Sequence, residues 1–150
     1  MIDAAVRIVG LGSPHGDDRA GWEVVAALAA ASLPPRLELR ACATPATDLI
    51  PALRGATRAV LVDAVAGAPT GTVLRGGRGH LAAGRAALSS HGVTLDTLLD
   101  LAEVCGALPA ELVWVGVTID AKRCRGEAMS AAVEAALPAL AQAALEEALR

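Results

Sequence analysis

Two spacings of apolar residues alternate along this chain, and they predict an alternation of strands and helices. Short apolar runs predict five strands, over residues 6–11, 37–40, 59–65, 71–75 and 112–117, with the 71–75 strand at an edge. Helical spacing predicts four helices, one from Asp18 and the others over 44–53, 94–104 and about 127–149. Pro138 should kink the last helix. This order predicts a single α/β domain over residues 1–150, a twisted, mostly parallel sheet of about five strands with helices on both faces.

The first helix carries the most detailed local predictions. Its face towards the sheet is expected to consist of Trp22, Val25, Ala26 and Ala29, with Leu28 beside it. Asp17 or Asp18 is expected as its N-cap or as an acid in its first turn, where unpaired backbone amides favour a carboxylate.

Composition and charge exclude several classes of function. A hydrophobic share of 54% against 19% charged residues is typical of a packed domain. The chain has no Phe or Tyr and a net charge of −3, which argues against aromatic stacking platforms or a basic surface for nucleic acid. No apolar run is long enough to cross a membrane, and the sequence does not open on a basic and then apolar leader. We therefore expect a cytoplasmic protein without nucleic-acid or membrane partners.

The three cysteines, Cys42, Cys105 and Cys124, form no C-x-x-C pair, and an odd number suits reduced thiols better than a disulfide framework. Cys42 could face the cleft from the end of a strand. A thiol nucleophile at that position would need a nearby histidine.

Polar residues follow the predicted strands where a parallel sheet usually carries its site, at the carboxyl ends. Ser13, His15, Asp17 and Asp18 follow the first strand, Asp63 ends the third, and His91 precedes the third long helix. Two carboxylates and an imidazole that converge from three loops would suit a divalent metal, and zinc or nickel better than calcium or magnesium.

Each of these residues also has a structural interpretation. Asp17 and Asp18 could cap a helix, Asp63 could accept hydrogen bonds from loop amides, and His91, like His15 and His80, could be a structural histidine. Asp63 is the hardest to explain in this way, because an acid at the end of a buried apolar strand is costly unless it is paired or liganded.

Two other kinds of site have little support. Gly10, Gly12 and Gly16 do not have the spacing of a dinucleotide-binding turn, and Arg40 stands near the place of its usual acid. The serines Ser13, Ser89 and Ser90 are not in the G-x-S-x-G pattern of a serine nucleophile. A nucleotide-binding module and serine hydrolase chemistry are therefore disfavoured.

The ordered set of motifs resembles the [NiFe]-hydrogenase maturation endopeptidases over nearly the whole chain. Those proteins open with a strand, a G-x-G-N loop and a D-D/E-x-x-G turn into a helix, and residues 9–13 and 17–21 are similar to this opening except at Ser13. The similarity continues through Val62-Asp63-Ala64-Val65, Ala68-Pro69, Gly71-Thr72-Val73, Ser90-His91-Gly92-Val93, the strand over 112–117 and the closing stretch over 132–138.

The resemblance implies a protease, of an aspartic-endopeptidase-like kind, that removes the C-terminal extension of a hydrogenase large-subunit precursor after nickel has been inserted. It implies that Asp18, Asp63 and His91 form the catalytic, metal-contacting site. The D-x-x-G spacing to Gly21 selects Asp18 and leaves Asp17 to capping or loop support. The nickel would arrive with the precursor, and no organic cofactor is expected.

Three features depart from the family pattern. Ser13 stands where the family usually has Asn, and the loop from Gly12 to Asp18 is one residue shorter than in some members. Ala41-Cys42-Ala43-Thr44 replaces an Asp-Gly-Gly-Thr stretch that bears on substrate recognition. This last change leaves open an alternative function, a checkpoint protein that binds the nickel-loaded precursor without cutting it.

Overall fold

The computed structural model describes residues 4–78, 94–122 and 128–150. All five predicted strands are present: β1 (Val6–Leu11), β2 (Leu37–Cys42), β3 (Arg58–Ala66), β4 (Val73–Gly77) and β5 (Glu111–Ile119). The described helices are α1 (Ala20–Ala29), α2 (Pro45–Leu53), α3 (Leu95–Val104) and α4 (Ala131–Ala148), and a 3-10 turn (Gly16–Arg19) precedes α1. The predicted α/β fold class is confirmed.

The sheet has the strand order β2-β1-β3-β5-β4. All neighbouring strands are parallel except β4, which runs antiparallel to β5 at the predicted edge. From β1 the chain crosses to β2 on one side, and β3 then lies on the other side of β1. The order therefore reverses between β1 and β3, and at such a point a crevice opens beyond the carboxyl ends of the strands.

Helices cover both faces of the sheet, as predicted. Alternate residues of β3 point to opposite faces, so Val60 and Val62 pack in the layer of α1 and α4, whereas Ala59 and Leu61 pack in the layer of α2 and α3. Because both faces are buried, β3 is continuously apolar from Ala59 to Val62.

The buried face of α1 differs from the prediction. Ala20, Gly21, Val24 and Leu28 are buried, whereas Ala26 and Ala29 are exposed and Trp22 and Val25 are only partly buried. The cause is a very close approach of the helix to the sheet at Gly21. A side chain there would stand 2.6 Å from the carbonyl oxygen of Val62 and would also collide with that of Leu11. The face that contains this glycine must therefore face inward.

The last helix starts later than predicted. Its N-cap is Ser130, whose hydroxyl accepts the N–H of Val133 at 3.4 Å, and Glu127 lies outside the described residues. Pro138 lies inside the helix, as the sequence indicates. Within residues 4–78, 94–122 and 128–150, no helix is both long and apolar enough to cross a membrane.

The contact of α1 with the sheet leads to the first prediction. Gly21→Ala should lower the free energy of unfolding by about 1–3 kcal/mol, because the new methyl group overlaps backbone atoms that cannot move aside cheaply. Gly77→Ala is the matched control, since a side chain there meets nothing within 4 Å. Urea unfolding of both variants measures the difference, and equal stabilities would contradict the close approach.

Candidate active site

Asp63 lies at the crevice between β1 and β3. The pairing of these two strands ends at Gly10 and Val62, one residue before Asp63. We predicted that Asp63 ends β3. The strand instead continues past Asp63 to Ala66, where it still pairs with β5. The aspartate is therefore held by a strand with a paired neighbour on one side and the crevice on the other.

The Asp63 side chain is almost completely buried, with 3% exposure. Its Oδ1 accepts the N–H of Ala64 at 2.7 Å. The alternation along β3 directs it to the face of α2 and α3, where Cys42 also lies. A carboxylate held in this way is in place before any ligand arrives.

Asp18 lies on the other wall of the crevice, in the 3-10 turn that packs against β3. The loop before it folds back on β1, since the Ser13 N–H donates to the Asp18 carbonyl at 3.1 Å and the Asp18 N–H donates to the His15 carbonyl at 3.1 Å. The Asp18 side chain is exposed. It can meet a partner from solution, whereas the Asp63 side chain is buried.

Asp17 has a different environment from its neighbour. It is 7% exposed, and its carboxylate accepts the N–H of Ser130 at 2.6 Å and the Ser130 hydroxyl at 3.0 Å. Ser130 is the N-cap of α4, so Asp17 stabilises the start of a helix 113 residues away in the chain. The negative charge also suits the amino end of the helix dipole.

The predicted capping of the first helix is correct only in part. Asp17 and Asp18 both lie in the 3-10 turn, but neither of them is an N-cap. The N-cap of the 3-10 turn is His15 and that of α1 is Arg19, both without a side-chain capping bond. The support that Asp17 gives is long-range. Ser130 was missed by the sequence analysis, although a serine before an apolar helical stretch is a usual N-cap signal.

The third predicted ligand, His91, lies outside the described residues, as do His80, Ser89, Ser90 and Cys124. The structure thus places the 3-10 turn that carries Asp18 against β3, which carries Asp63, and it does not describe the predicted imidazole. Within the described ranges, no three His, Cys, Asp or Glu side chains form a group that could hold a metal ion. The two acids alone are an incomplete ligand set for a transition metal.

Cys42 is fully buried at the end of β2. Burial, together with the negative charges of Asp48 and Asp63, raises the pKa of its thiol to about 12. Its carbonyl accepts the Gly12 N–H at 3.2 Å and the Trp22 indole N–H at 3.3 Å. Because the thiolate is the reactive form, this environment argues against the hypothesis of a nucleophilic Cys42.

Two stretches that depart from the family pattern, Ser13 and residues 41–44, are stabilised by local hydrogen bonds. The Ser13 hydroxyl accepts the His15 N–H at 3.3 Å inside the loop. After β2, the Thr44 N–H donates to the Asp48 carboxylate at 3.0 Å, and this hydrogen bond lowers the pKa of Asp48. The turn that replaces the Asp-Gly-Gly-Thr stretch is thus stabilised by the first turn of α2.

Comparison with known proteins finds a family model that matches this chain. A family model, HycI, described as hydrogenase maturation protease, matches residues 22–147. The matched range contains Asp63 and His91 and begins shortly after Asp18. The chain matches no curated protein sequence.

Several solved structures share the fold over almost the full chain. The hydrogenase maturating endopeptidase HybD from E. coli is 20% identical, with a TM-score of 0.77 over 95% of this chain and 90% of that one. The hydrogenase 2 maturation peptidase from Thaumarchaeota archaeon SCGC_AB-539-E09 is 29% identical, with a TM-score of 0.67 over 95% and 96%. The [NiFe] hydrogenase maturation protease HycI from Thermococcus kodakarensis KOD1 is 20% identical, with a TM-score of 0.70 over 98% and 94%.

The link between Asp17 and Ser130 gives the second prediction. Asp17→Ala should lower the free energy of unfolding by about 1–3 kcal/mol, because it leaves a partly buried N–H and a hydroxyl without their acceptor. Combining it with Ser130→Ala should cost less than the sum of the two single losses. Urea unfolding provides the double-mutant cycle. Asp18→Asn, an exposed change one residue away, should stay within about 0.5 kcal/mol of the wild type, and an equal loss there would contradict the assignment.

The third prediction concerns the thiols. At pH 8 only on the order of 10⁻⁴ of Cys42 is thiolate, given its pKa of about 12, so iodoacetamide should not label it in the folded protein. Cys105 is exposed and should be labelled under the same conditions. Mass spectrometry of the peptides separates the two sites, and labelling in urea confirms that both thiols are present. Fast labelling of Cys42 in the folded protein would restore the thiol hypothesis.

Proposed function

Because this chain belongs to the hydrogenase maturation protease family, whose members are peptide hydrolases, we propose that it removes the C-terminal extension of a [NiFe]-hydrogenase large-subunit precursor that already carries nickel. The observation that carries the proposal is the placement of Asp18 and Asp63 at the point where the strand order reverses. Ligands bind at this point in open α/β sheets.

In this proposal the nickel of the precursor meets Asp18 and Asp63, with His91 as the third ligand. Carboxylate and imidazole donors suit nickel. The exposed Asp18 makes the first contact, and the buried Asp63 receives the metal at the floor of the crevice. Three side-chain ligands leave coordination positions for the precursor and for water.

Water is the attacking group that this chemistry favours. The raised thiol pKa of Cys42 speaks against a cysteine nucleophile. A carboxylate can take a proton from water as a general base, and a metal ion can lower the pKa of a bound water. Both routes end with water added across the peptide bond and the extension released.

The thiols also bear on where the reaction takes place. Cys42 and Cys105 are both unpaired, as is usual in a reducing compartment. We therefore place the processing in the cytoplasm.

One observation favours a second candidate, a checkpoint that binds the precursor without cutting it. The stretch Ala41-Cys42-Ala43-Thr44 lacks the acid and the two glycines found in the family, and the Thr44 N–H is already occupied by Asp48. A protein altered at this turn could keep the metal-contacting acids and lose the ability to position the peptide.

The fourth prediction is tested by incubating the protein with nickel-loaded precursor and following the mass of the precursor. We expect loss of a C-terminal peptide, and we expect Asp18→Asn and Asp63→Asn to abolish it because each removes a negatively charged metal contact. Glu23→Gln is the matched control. Glu23 is an acid one turn further along α1 and pairs at the surface with Arg19 at 2.8 Å, so its loss should leave processing intact.

The possible outcomes separate the two functions. A stable complex without cleavage would support the checkpoint, and full activity of Asp18→Asn would contradict the site. Calorimetric titration with Ni²⁺ tests the metal contact directly. One weak site in the wild type that disappears in Asp63→Ala is expected, whereas equal binding by the two proteins would exclude Asp63 as a ligand.

A further inference from the structure

The 3-10 turn over Gly16–Arg19 is joined to three parts of the chain. At its carboxyl end it leads directly into α1, which lies tightly against the sheet. On the side of β1, the Ser13 N–H donates to the Asp18 carbonyl at 3.1 Å and so ties the turn to the loop before it. The third connection runs to the start of α4, through Asp17 and Ser130.

The connection to α4 is made by a buried acid. Asp17 is 7% exposed, and its Oδ1 accepts the Ser130 N–H at 2.6 Å while its Oδ2 accepts the Ser130 hydroxyl at 3.0 Å. Each carboxylate oxygen thus has a donor on the same residue. Hydrogen bonds to an ionised group are shorter and stronger than those between neutral groups. The two bonds together fix both the distance of the turn from α4 and the direction of the carboxylate.

Asp18 depends on the same turn for its position. Its side chain is exposed, so packing does not lock it in place. The turn opens on Gly16, whose φ of 54° lies in the left-handed region, and glycine has the freest backbone of all residues. Contacts of the turn must therefore hold Asp18. Because one planar peptide unit joins Asp17 to Asp18, anchoring the first side chain restricts the backbone of the second.

Building on the proposed function, we propose that Ser130 is a positioning residue for the metal contact of Asp18, and that it acts through Asp17. Ser130 holds Asp17, and Asp17 holds the turn in the place from which Asp18 meets the nickel of the precursor. Since both Asp17 oxygens accept hydrogen bonds from Ser130, the adjacent acid is kept for this support and Asp18 is left to the metal.

The fifth prediction uses Ser130→Ala, which removes the hydroxyl without changing a charge. The turn should open more often, so the Asp18 N–H, which donates to the His15 carbonyl, should exchange with solvent about 3- to 10-fold faster in a nitrogen-15 NMR experiment. The affinity for Ni²⁺ alone, measured by calorimetric titration, should fall by a similar factor. Removing a direct hydrogen-bond partner of a metal ligand typically costs about 10- to 100-fold. The smaller effect is expected because the Ser130 N–H still reaches Asp17.

Processing of the nickel-loaded precursor should change in the same direction. In Ser130→Ala the KM should rise about 3- to 10-fold with a smaller change in kcat, because the weakened metal contact is already made when the precursor binds. Ser130→Thr keeps a hydroxyl at this position. It should restore the exchange rate, the Ni²⁺ affinity and the KM to wild-type values.

Ala131→Gly is the matched control for the stability of α4. Ala131 is the exposed first residue of the helix, and glycine there weakens the helix start while the Ser130 hydroxyl stays in place. This variant should lower the urea midpoint and leave the Asp18 N–H exchange and the Ni²⁺ affinity unchanged. If it moved both as much as Ser130→Ala does, the stability of the helix start would be responsible and the assigned role would be wrong.

Failure of this role and failure of the proposed function have different signatures. Nickel binding and processing by the wild type, together with an unchanged Ni²⁺ affinity and KM in Ser130→Ala, would overturn the positioning role alone. An unchanged exchange rate of the Asp18 N–H would do the same. A wild type that neither binds Ni²⁺ nor cuts the precursor would overturn the proposed function and this inference with it.

Discussion

The close approach of α1 to the sheet is the constraint on which the rest of the site depends. Gly21 brings the helix against backbone atoms of both β1 and β3, and Gly10 makes room for it from the sheet side, where a side chain would stand 2.7 Å from Val25. A helix held this tightly fixes the turn in front of it. The acids of that turn therefore meet the crevice between β1 and β3, and not some other part of the sheet edge.

Two adjacent acids acquire different roles from this turn. Asp17 is buried and joined to Ser130, so the first and the last helices of the chain are tied together at the site. Asp18 is exposed at the mouth of the crevice. Asp63 is buried on β3, which pairs with β5 on the side away from β1. The site is thus built on strands and on one tightly held turn, which keeps its geometry precise without a ligand.

Much of the fold could be predicted because the spacing of apolar residues along the chain indicates directly which positions are buried. Every strand and the two-sided covering of the sheet follow from runs and alternations of apolar residues. The inward face of α1 could not be predicted in this way. In a helix rich in alanine many faces look equally apolar, and the true face is selected by Gly21, where contact with the sheet excludes any side chain. The later start of α4 has a similar cause, since its first turn is determined by Ser130 and its distant partner Asp17.

The sequence by itself determined the fold class, the family resemblance and the candidate acids, because those depend on residue types, order and short spacings. Only the tertiary structure decided which of two neighbouring aspartates is tied to a distant helix, and that Cys42 is fully buried with a raised thiol pKa. The physical reason is that hydrogen-bond partners and burial arise from residues far apart in the chain, 113 positions in the case of Asp17 and Ser130. The local sequence pattern does not show which distant residues form such pairs.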